Sequence, residues 1–231
     1  CGTLSKSQQV FDQLYIRDIA SWNALIAGYT QNGLSDKALD CFQQMQYNHL
    51  PLSPLTFASA LSASGHIGSA KQGQEIHAEI IMRGLLKDNI ALGNALVDMY
   101  VKCGFLTKAH EMFIMLPERN NLSWNALITG YVRNGQKEEA IKCYEQMRCE
   151  GDFPNSITFS GLLIICGANI EMLHKGQEIH VEVERQGRNL AVSNCLVSMY
   201  SKHGLFSIAL RIFNKLITRD VITWTSLIAG Y

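Results

Sequence analysis

Proline is scarce in this chain, four in 231 residues, and there is no Gly/Ser-rich stretch and no run of one charge. Such a sequence offers nowhere to place a flexible linker, so it reads as one continuous body. Net charge is also missing: twenty basic residues balance twenty acidic ones, which argues against a protein that holds a polyanion by bulk electrostatics. No apolar stretch approaches the roughly 20 residues that cross a bilayer, so no membrane partner is expected. The opening CGTLSKSQQV lacks the composition of a signal or transit peptide. The seven cysteines (1, 41, 103, 143, 149, 166 and 195) form no C-x-x-C pair, and their spacing matches neither a disulfide framework nor a zinc knuckle. Reduced, structural thiols are expected, with no metal and no cofactor.

What is present is ample apolar content, 47% against 17% charged residues, enough for a buried core, and a sequence that repeats itself. WNALIAGYTQNG at 22–33 returns as WNALITGYVRNG at 124–135 and again as WTSLIAGY at 224–231. GNALVDMYVKCG at 93–104 pairs with SNCLVSMYSKHG at 193–204, and KQGQEIHAEI at 71–80 with HKGQEIHVEV at 174–183. Three different units therefore alternate. Repetition at this period is the mark of a solenoid.

Each unit has the same interior pattern. Trp22, Leu25, Ile26 and Tyr29 fall at i, i+3, i+4 and i+7; after Asn32-Gly33, the residues Ala38, Leu39, Phe42 and Met45 form a second stripe. That is the spacing of two amphipathic helices joined by a Gly turn. A hairpin of helices about 20 Å long at ~1.5 Å per residue cannot bury its stripe alone, so neighbouring hairpins must stack. About fourteen helices follow: one, then six pairs, then one. Trp22, Trp124 and Trp224 belong to the core stripe rather than to any stacking platform.

These residues resemble the pentatricopeptide repeat family, specifically its plant subclass in which P-type, long L-type and short S-type motifs alternate. The resemblance rests on W-N-A-L-I, G-Q-E-I-H and N-A-L-V-D-M-Y-x-K-C-G and spans the whole chain. Aligned on these, residues 1–18 are a partial S-type motif, 19–53 P-type, 54–89 L-type and 90–120 S-type. A second triplet comprises 121–155 P-type, 156–189 L-type and 190–220 S-type, and 221–231 opens another P-type motif. Both ends fall inside motifs, which suggests a piece of a longer protein and lets uncapped ends favour self-association. The fold implied is all-α, a right-handed superhelical solenoid of stacked helix-turn-helix repeats.

The family resemblance implies sequence-specific binding of single-stranded RNA, one repeat to one base, through the fifth residue of each first helix and the last residue of the motif. Carried onto this sequence, Asn194 with Asp220 prefers uracil, Asn94 with Asn120 and Asn125 with Asn155 take a pyrimidine with cytosine favoured, and Asn23 with Ser53 leans weakly to cytosine. The L-type motifs follow the code poorly: Ala58, paired with Asn89, has no side-chain hydrogen bond to give, and Ser160 with Asn189 only hints at adenine. An amide carries both a donor and an acceptor, which suits the Watson–Crick edge of a pyrimidine. The last residues also immediately precede a helix, where capping competes with base reading.

The resemblance further places Ala20, Leu55, Ala91, Leu122, Ile157, Ala191 and Ile222 as apolar wedges between bases. Lys102, Arg133 and Lys202, near the ends of first helices, are candidates for phosphate contacts that carry no sequence information. The subclass points to a plant organellar factor, mitochondrial or chloroplast, that guides cytidine-to-uridine RNA editing, with catalysis residing elsewhere and editing-factor proteins held at the L-type motifs. RNA stabilisation or splicing, and a protein-interaction helical solenoid, are the alternatives. The tetratricopeptide comparison is decided by register, since such repeats need no Asn at one fixed place. His77-Ala78-Glu79 and His180-Val181-Glu182 match half of a zinc deaminase signature, but the partner P-C-x-x-C is missing. Nor does spacing bring convergent polar groups together as an enzyme needs, so the chain reads as a non-enzyme.

Overall fold

A computed structural model describes residues 2–15, 17–87, 89–187 and 189–229, with side chains from Gln8 onward. Cys1, half of the first C-G turn, and Gly230 and Tyr231, which close the WTSLIAGY echo, lie outside the described residues. Among these residues fourteen α-helices and one short 3-10 turn occur, and no strand. No described helix is long and apolar enough to cross a membrane. Although the sequence offers no linker, the chain divides into two compact units, Cys1–Arg119 and Asn120–Tyr231.

The first unit holds α1 (Gly2–Gln13) and three helical hairpins: α2 (Ile19–Gln31) with α3 (Ser35–Tyr47), α4 (Pro54–His66) with α5 (Ala70–Met82), and α6 (Ile90–Lys102) with α7 (Leu106–Ile114). The first helices α2, α4 and α6 lie side by side, and α3 and α5 each pack on their own partner and on the next first helix. The second unit repeats the plan with α8 (Asn121–Arg133) and α9 (Lys137–Cys149), α10 (Ser156–Ala168) and α11 (Leu173–Gln186), α12 (Leu190–Lys202) and α13 (Phe206–Lys215), and then α14 (Val221–Ile228); the 3-10 turn Ile170–Met172 leads into α11. Here α8, α10, α12 and α14 form the row.

The helical spacing of the stripes is what builds these cores. Trp22, Leu25, Ile26, Tyr29, Ala38, Leu39, Phe42 and Met45 are all buried, as are Trp124, Leu127, Ile128 and Tyr131 in the second unit. Fully burying one such side chain is worth ~1.5–3 kcal/mol. The turn inside a hairpin depends on glycine: Gly33 has φ +74° and Gly135 φ +70°, left-handed values that cost other residues energy. With the glycine so placed, the Leu34 amide reaches back to the Tyr29 carbonyl at 2.9 Å, closing the orphan carbonyls of α2. Trp224 departs from the core expectation: it is 51% exposed, because the described part of α14 has no second helix of its own to cover it. Its ring meets Phe213 edge-on at 4.7 Å, as Trp22 meets Phe11.

The junctions before α2 and α14 are clamped by arginine. Arg219 donates to the Phe213 and Asn214 carbonyls at 3.1 and 3.3 Å and stacks over the Phe213 ring. Arg17 does the same at the Phe11 and Asp12 carbonyls. Both guanidiniums thus satisfy helix-end carbonyls and fix the backbone that carries Asp220 and Asp18.

Candidate functional site

Every described first helix after α1 begins at a residue whose side chain can cap it. Asp18, Ser53, Asn89, Asn120, Asn155, Asn189 and Asp220 each accept a backbone N–H of the first turn, satisfying donors the helix leaves unpaired. The residues that end each motif are therefore helix caps. For Ser53, Asn120, Asn155 and Asp220 the cap is reciprocal, with Thr56, Ser123, Thr158 or Thr223 accepting the cap residue's own N–H.

Three of the candidate reading pairs are joined directly. Asn23 Nδ2 donates to Ser53 Oγ at 3.2 Å, Asn125 Nδ2 to Asn155 Oδ1 at 3.2 Å, and Asn194 Nδ2 to Asp220 Oδ1 and Oδ2 at 3.1 and 3.3 Å. In each, the next helix supplies a third member. Thr56, Thr158 and Thr223 donate their hydroxyls to the Oδ1 of Asn23, Asn125 and Asn194 at 2.6, 2.6 and 2.7 Å. Asn94 and Asn120 belong to different units; the first is buried on α6 and the second caps α8 with Oδ1 at 3.0 and 3.1 Å from the Leu122 and Ser123 amides.

The amides are less open than residues on a polar helix face. Asn94, Asn125 and Asn194 are buried at 4–7% exposure, with Asn23 partly buried. For Asn125 and Asn194 the cause is close packing of neighbouring first helices, which brings the cap of one hairpin over the side chain of the previous one. A buried amide must be hydrogen-bonded, and at Asn125 and Asn194 the cap and threonine meet that demand.

The remaining pairs are not joined. Ala58 offers nothing, and Asn89 caps α6 through the Leu92 amide at 3.0 Å. Ser160 lines the same cavity wall as Cys195, while Asn189 caps α12 through the Ala191 amide at 2.8 Å. All seven wedge candidates are exposed: Ala20, Ala91 and Ala191, and Leu55, Leu122, Ile157 and Ile222 at 58–66%. In the second unit Leu122, Ile157 and Ile222, held in water at the second residue of α8, α10 and α14, form an apolar row beside the Asn positions, of the kind that marks a contact surface.

In the second unit these residues converge on one open cavity of about 650 Å³ between α10, α12 and α14. Ser160, Asn189, Ala191, Asn194, Asp220, Ile222 and Lys202 all line it. Asp220 is held below the usual carboxylate range, first by the Thr223 hydroxyl and then by the Thr223 amide, so an acceptor-only anion faces the cavity at neutral pH. Cys195 shares the wall, and burial pushes its thiol up. Of the candidate phosphate groups, Arg133 and Lys202 are exposed, whereas Lys102 is paired with Asp98 at 2.7 Å and lies 3.2 Å from His66 Nε2. That pairing reduces what Lys102 has to offer an anion.

The His-x-Glu pairs go elsewhere. His77 and His180 meet the hydroxyls of Tyr100 and Tyr200 at 2.8 and 2.9 Å, and Glu79 binds Gln46 and Arg83. Among the described residues no group of three His, Cys, Asp or Glu could hold a metal ion, and Cys41, Cys103, Cys143, Cys149, Cys166 and Cys195 are free thiols. The hydroxyls at the third position of first helices, Thr56, Thr158 and Thr223, are functional candidates that the sequence reading passed over. Their recurrence, with Ser123 at the same place, was the available signal.

A family model described as PPR repeat family matches residues 119–166, and one described as PPR repeat matches 20–50, 94–121 and 192–221, together more than half of the chain. A chloroplastic pentatricopeptide repeat-containing protein of Arabidopsis thaliana is 36% identical over 233 residues, covering 100% of this chain and 29% of its own length. A mitochondrial one from the same plant is 33% identical over 232 residues, 100% of this chain and 22% of the relative. The chain thus spans less than a third of either. Among solved structures, the maize pentatricopeptide repeat protein PPR10, in complex with an 18-nt psaJ RNA element, superposes with a TM-score of 0.79 at 19% identity, over 98% of this chain and 34% of that one. The likeness shows the fold, that of a solenoid of helical hairpins.

Proposed function

Because this chain belongs to the pentatricopeptide repeat family, we propose that it binds single-stranded RNA, each repeat facing one base. The observation that carries this is the threefold recurrence of one arrangement: an Asn amide on a first helix, tied to the boundary residue and flanked by an exposed aliphatic. A base inserted between successive aliphatics meets an amide proton and a boundary side chain, which is a reading head with stacking-like walls. RNA on PPR10 supports the reading by analogy.

The chemistry of the boundary residue sets the base. An amide nitrogen carries two protons; one is spent on the boundary residue, and the other can reach a pyrimidine carbonyl. Asp220, anionic and acceptor-only, suits the N3–H of uracil and repels the N3 lone pair of cytosine. Asn155, whose Oδ1 is held by the Ile157 and Thr158 amides, has its NH₂ left to offer as a donor, which suits the N3 lone pair of cytosine. Ser53 presents a hydroxyl and discriminates least. Arg133 and Lys202 would hold phosphates without reading sequence, and with zero net charge affinity is modest. The alternation of P-, L- and S-type motifs within the boundaries given above, and a role as the recognition tract of a plant organellar editing factor, belong to this proposal. The chloroplastic and mitochondrial relatives support an organellar setting.

The test is binding to short single-stranded RNAs that differ only at the base opposite Asn194 and Asp220, beside a variant with Asn194→Thr and Asp220→Asn. A shift from uracil toward adenine by tenfold or more, about 1.4 kcal/mol, is expected. No binding by the unaltered chain at any salt would end the proposal and favour a protein-binding solenoid.

A further inference from the structure

The threonines that the base-reading scheme leaves out have a role of their own. A carboxamide can be rotated by 180°, exchanging its donor and acceptor with almost no change of shape. An Asn that reads a base therefore carries information only if one orientation is enforced. Resting on the RNA-binding reading above, we propose that Thr158, the third residue of α10, is a specificity-determining positioning residue, locking the Asn125 amide of the preceding repeat with its NH₂ toward the base.

Geometry supplies the lock. At Asn125 the Thr158 hydroxyl donates to Oδ1 at 2.6 Å, while its distance to Asn155 Oδ1 is 3.3 Å, so the single hydroxyl proton is committed to the Asn125 carbonyl. Nδ2 then faces the Asn155 carbonyl oxygen at 3.2 Å. A flipped amide would set its carbonyl oxygen against Asn155 Oδ1, which the Ile157 and Thr158 amides hold in place, and would oblige the Thr158 hydroxyl to exchange its 2.6 Å bond for the 3.3 Å one, so the Asn155 contact excludes the flip and the hydroxyl deepens the preference. Thr158 is 1% exposed and Asn125 7%, so water cannot substitute cheaply for either bond. At Asn23 the Thr56 bond is again 2.6 Å. At Asn194 the Thr223 hydroxyl lies 2.7 Å from both Asn194 Oδ1 and Asp220 Oδ1; there the carboxylate, which accepts only, fixes Nδ2 by itself.

The sequence pattern agrees at every motif. Where the fifth residue is Asn, at 23, 94, 125 and 194, the third position of the next first helix is Thr56, Ser123, Thr158 or Thr223. Where it is Ala58 or Ser160, that position is Leu92 or Val192. If the hydroxyl served capping alone it would be as useful at the start of α6 and α12, which begin without one. Capping accounts for its presence at five helices, Ser21 of α2 included; the Asn accounts for its absence from the two that follow Ala58 and Ser160.

The experiment uses the full chain with Thr158→Val, which keeps the shape and removes the hydroxyl, and Thr158→Ser, which restores it. Each protein is titrated with RNAs carrying C, U, A or G opposite Asn125, and separately opposite Asn194, with thermal melting recorded for all three. For Thr158→Val the ratio of pyrimidine to purine affinity opposite Asn125 should fall by about fivefold, about 1 kcal/mol. The preference opposite Asn194 should stay as it was, and Thr158→Ser should recover the first ratio. A uniform loss of affinity for all four bases, or an unchanged ratio, would overturn the lock and leave Thr158 a cap. If the unaltered chain discriminates at neither position, the RNA-reading proposal falls and this one with it; a discriminating parent with a discriminating Val variant overturns this one alone.

Discussion

Replacing Asn155 separates capping from reading, because two substitutions there divide the roles differently. Its Oδ1 accepts from the Ile157 and Thr158 amides at 3.0 and 3.2 Å and from Asn125 Nδ2 at 3.2 Å. Asn155→Ala removes the cap, at a cost of ~1 kcal/mol, and strips an acceptor from an amide that is 7% exposed, at a further ~1 kcal/mol or more. The two share an atom and will not add fully, so a loss of about 2 kcal/mol is expected. Asn155→Asp keeps a side-chain oxygen in place for both and adds a negative charge at a helix N-terminus, worth ~0.3–1 kcal/mol in the favourable direction. Its stability should stay within ~0.5 kcal/mol of the parent or exceed it. Urea unfolding of the full chain, read by the shift in midpoint, gives both numbers, and titration with RNAs carrying U or C opposite Asn125 gives the reading. The Asp variant should gain preference for uracil, as its carboxylate accepts from N3–H and refuses the cytosine lone pair. Should Asn155→Ala cost less than ~0.5 kcal/mol, the capping and amide-support argument is wrong. An Asp variant whose U-to-C ratio equals the parent's would refute the assignment of base choice to the boundary residue.

Three further outcomes are expected. Ala191→Val, on an exposed wedge position, adds apolar surface worth ~0.8 kcal/mol per buried CH₂ and should tighten RNA binding by up to about tenfold with the salt dependence unchanged; a gain that vanishes with salt would assign it to charge instead. Thiol-specific labelling at mildly alkaline pH should modify the exposed Cys149 first and spare Cys143, whose thiol burial pushes up to about 12, so rapid modification of both in the folded chain would contradict the packing of α9. His77 is pushed below its ordinary 6.5, first by burial and then by Lys108; the unfolded chain then binds more protons, so its contribution is present above about 6.5 and is lost as pH falls below that. Unfolding midpoints measured between pH 7 and pH 5 should drop less for His77→Gln than for the parent, and parallel curves would remove His77 as the source.

The fold was legible because its determinants are local. Apolar residues at i, i+3, i+4 and i+7, an Asn-Gly turn and a capping side chain fix a helical hairpin with no information from elsewhere in the chain, and the first helices start where Asn, Asp or Ser precedes them. The candidate site was legible only in outline. Which residues share a register can be counted, so Asn125 and Asn155 were found; how far they are exposed depends on a neighbour about thirty residues away. Asn94, Asn125 and Asn194 therefore turned out buried rather than displayed, and Lys102 turned out to face Asp98 one turn back on its own helix. Trp224 shows the same dependence in reverse, since a core residue needs the helix that covers it. Thr158 escaped notice because a hydroxyl three residues into a helix has a sufficient local explanation as a cap, and only the contact to Asn125 reveals the second partner.

That overlap of roles accounts for the narrow choice of residues at the motif boundary. A side chain there must accept a backbone N–H of the first turn, and in three pairs it also receives the amide of the preceding repeat. Ser, Asn and Asp satisfy both demands; an aliphatic satisfies neither and would cost the cap and a buried amide proton together. The fifth position carries no such double duty, and it varies further, from Asn to Ser160 to Ala58. If RNA is read as proposed, base choice is made within the vocabulary of helix capping, where exchanging Asn for Asp would alter what a base meets while leaving the helix start as stable as before. On that proposal a repeat could change its preferred pyrimidine without putting its own hairpin at risk, whereas an apolar boundary would lose the helix start along with the reading.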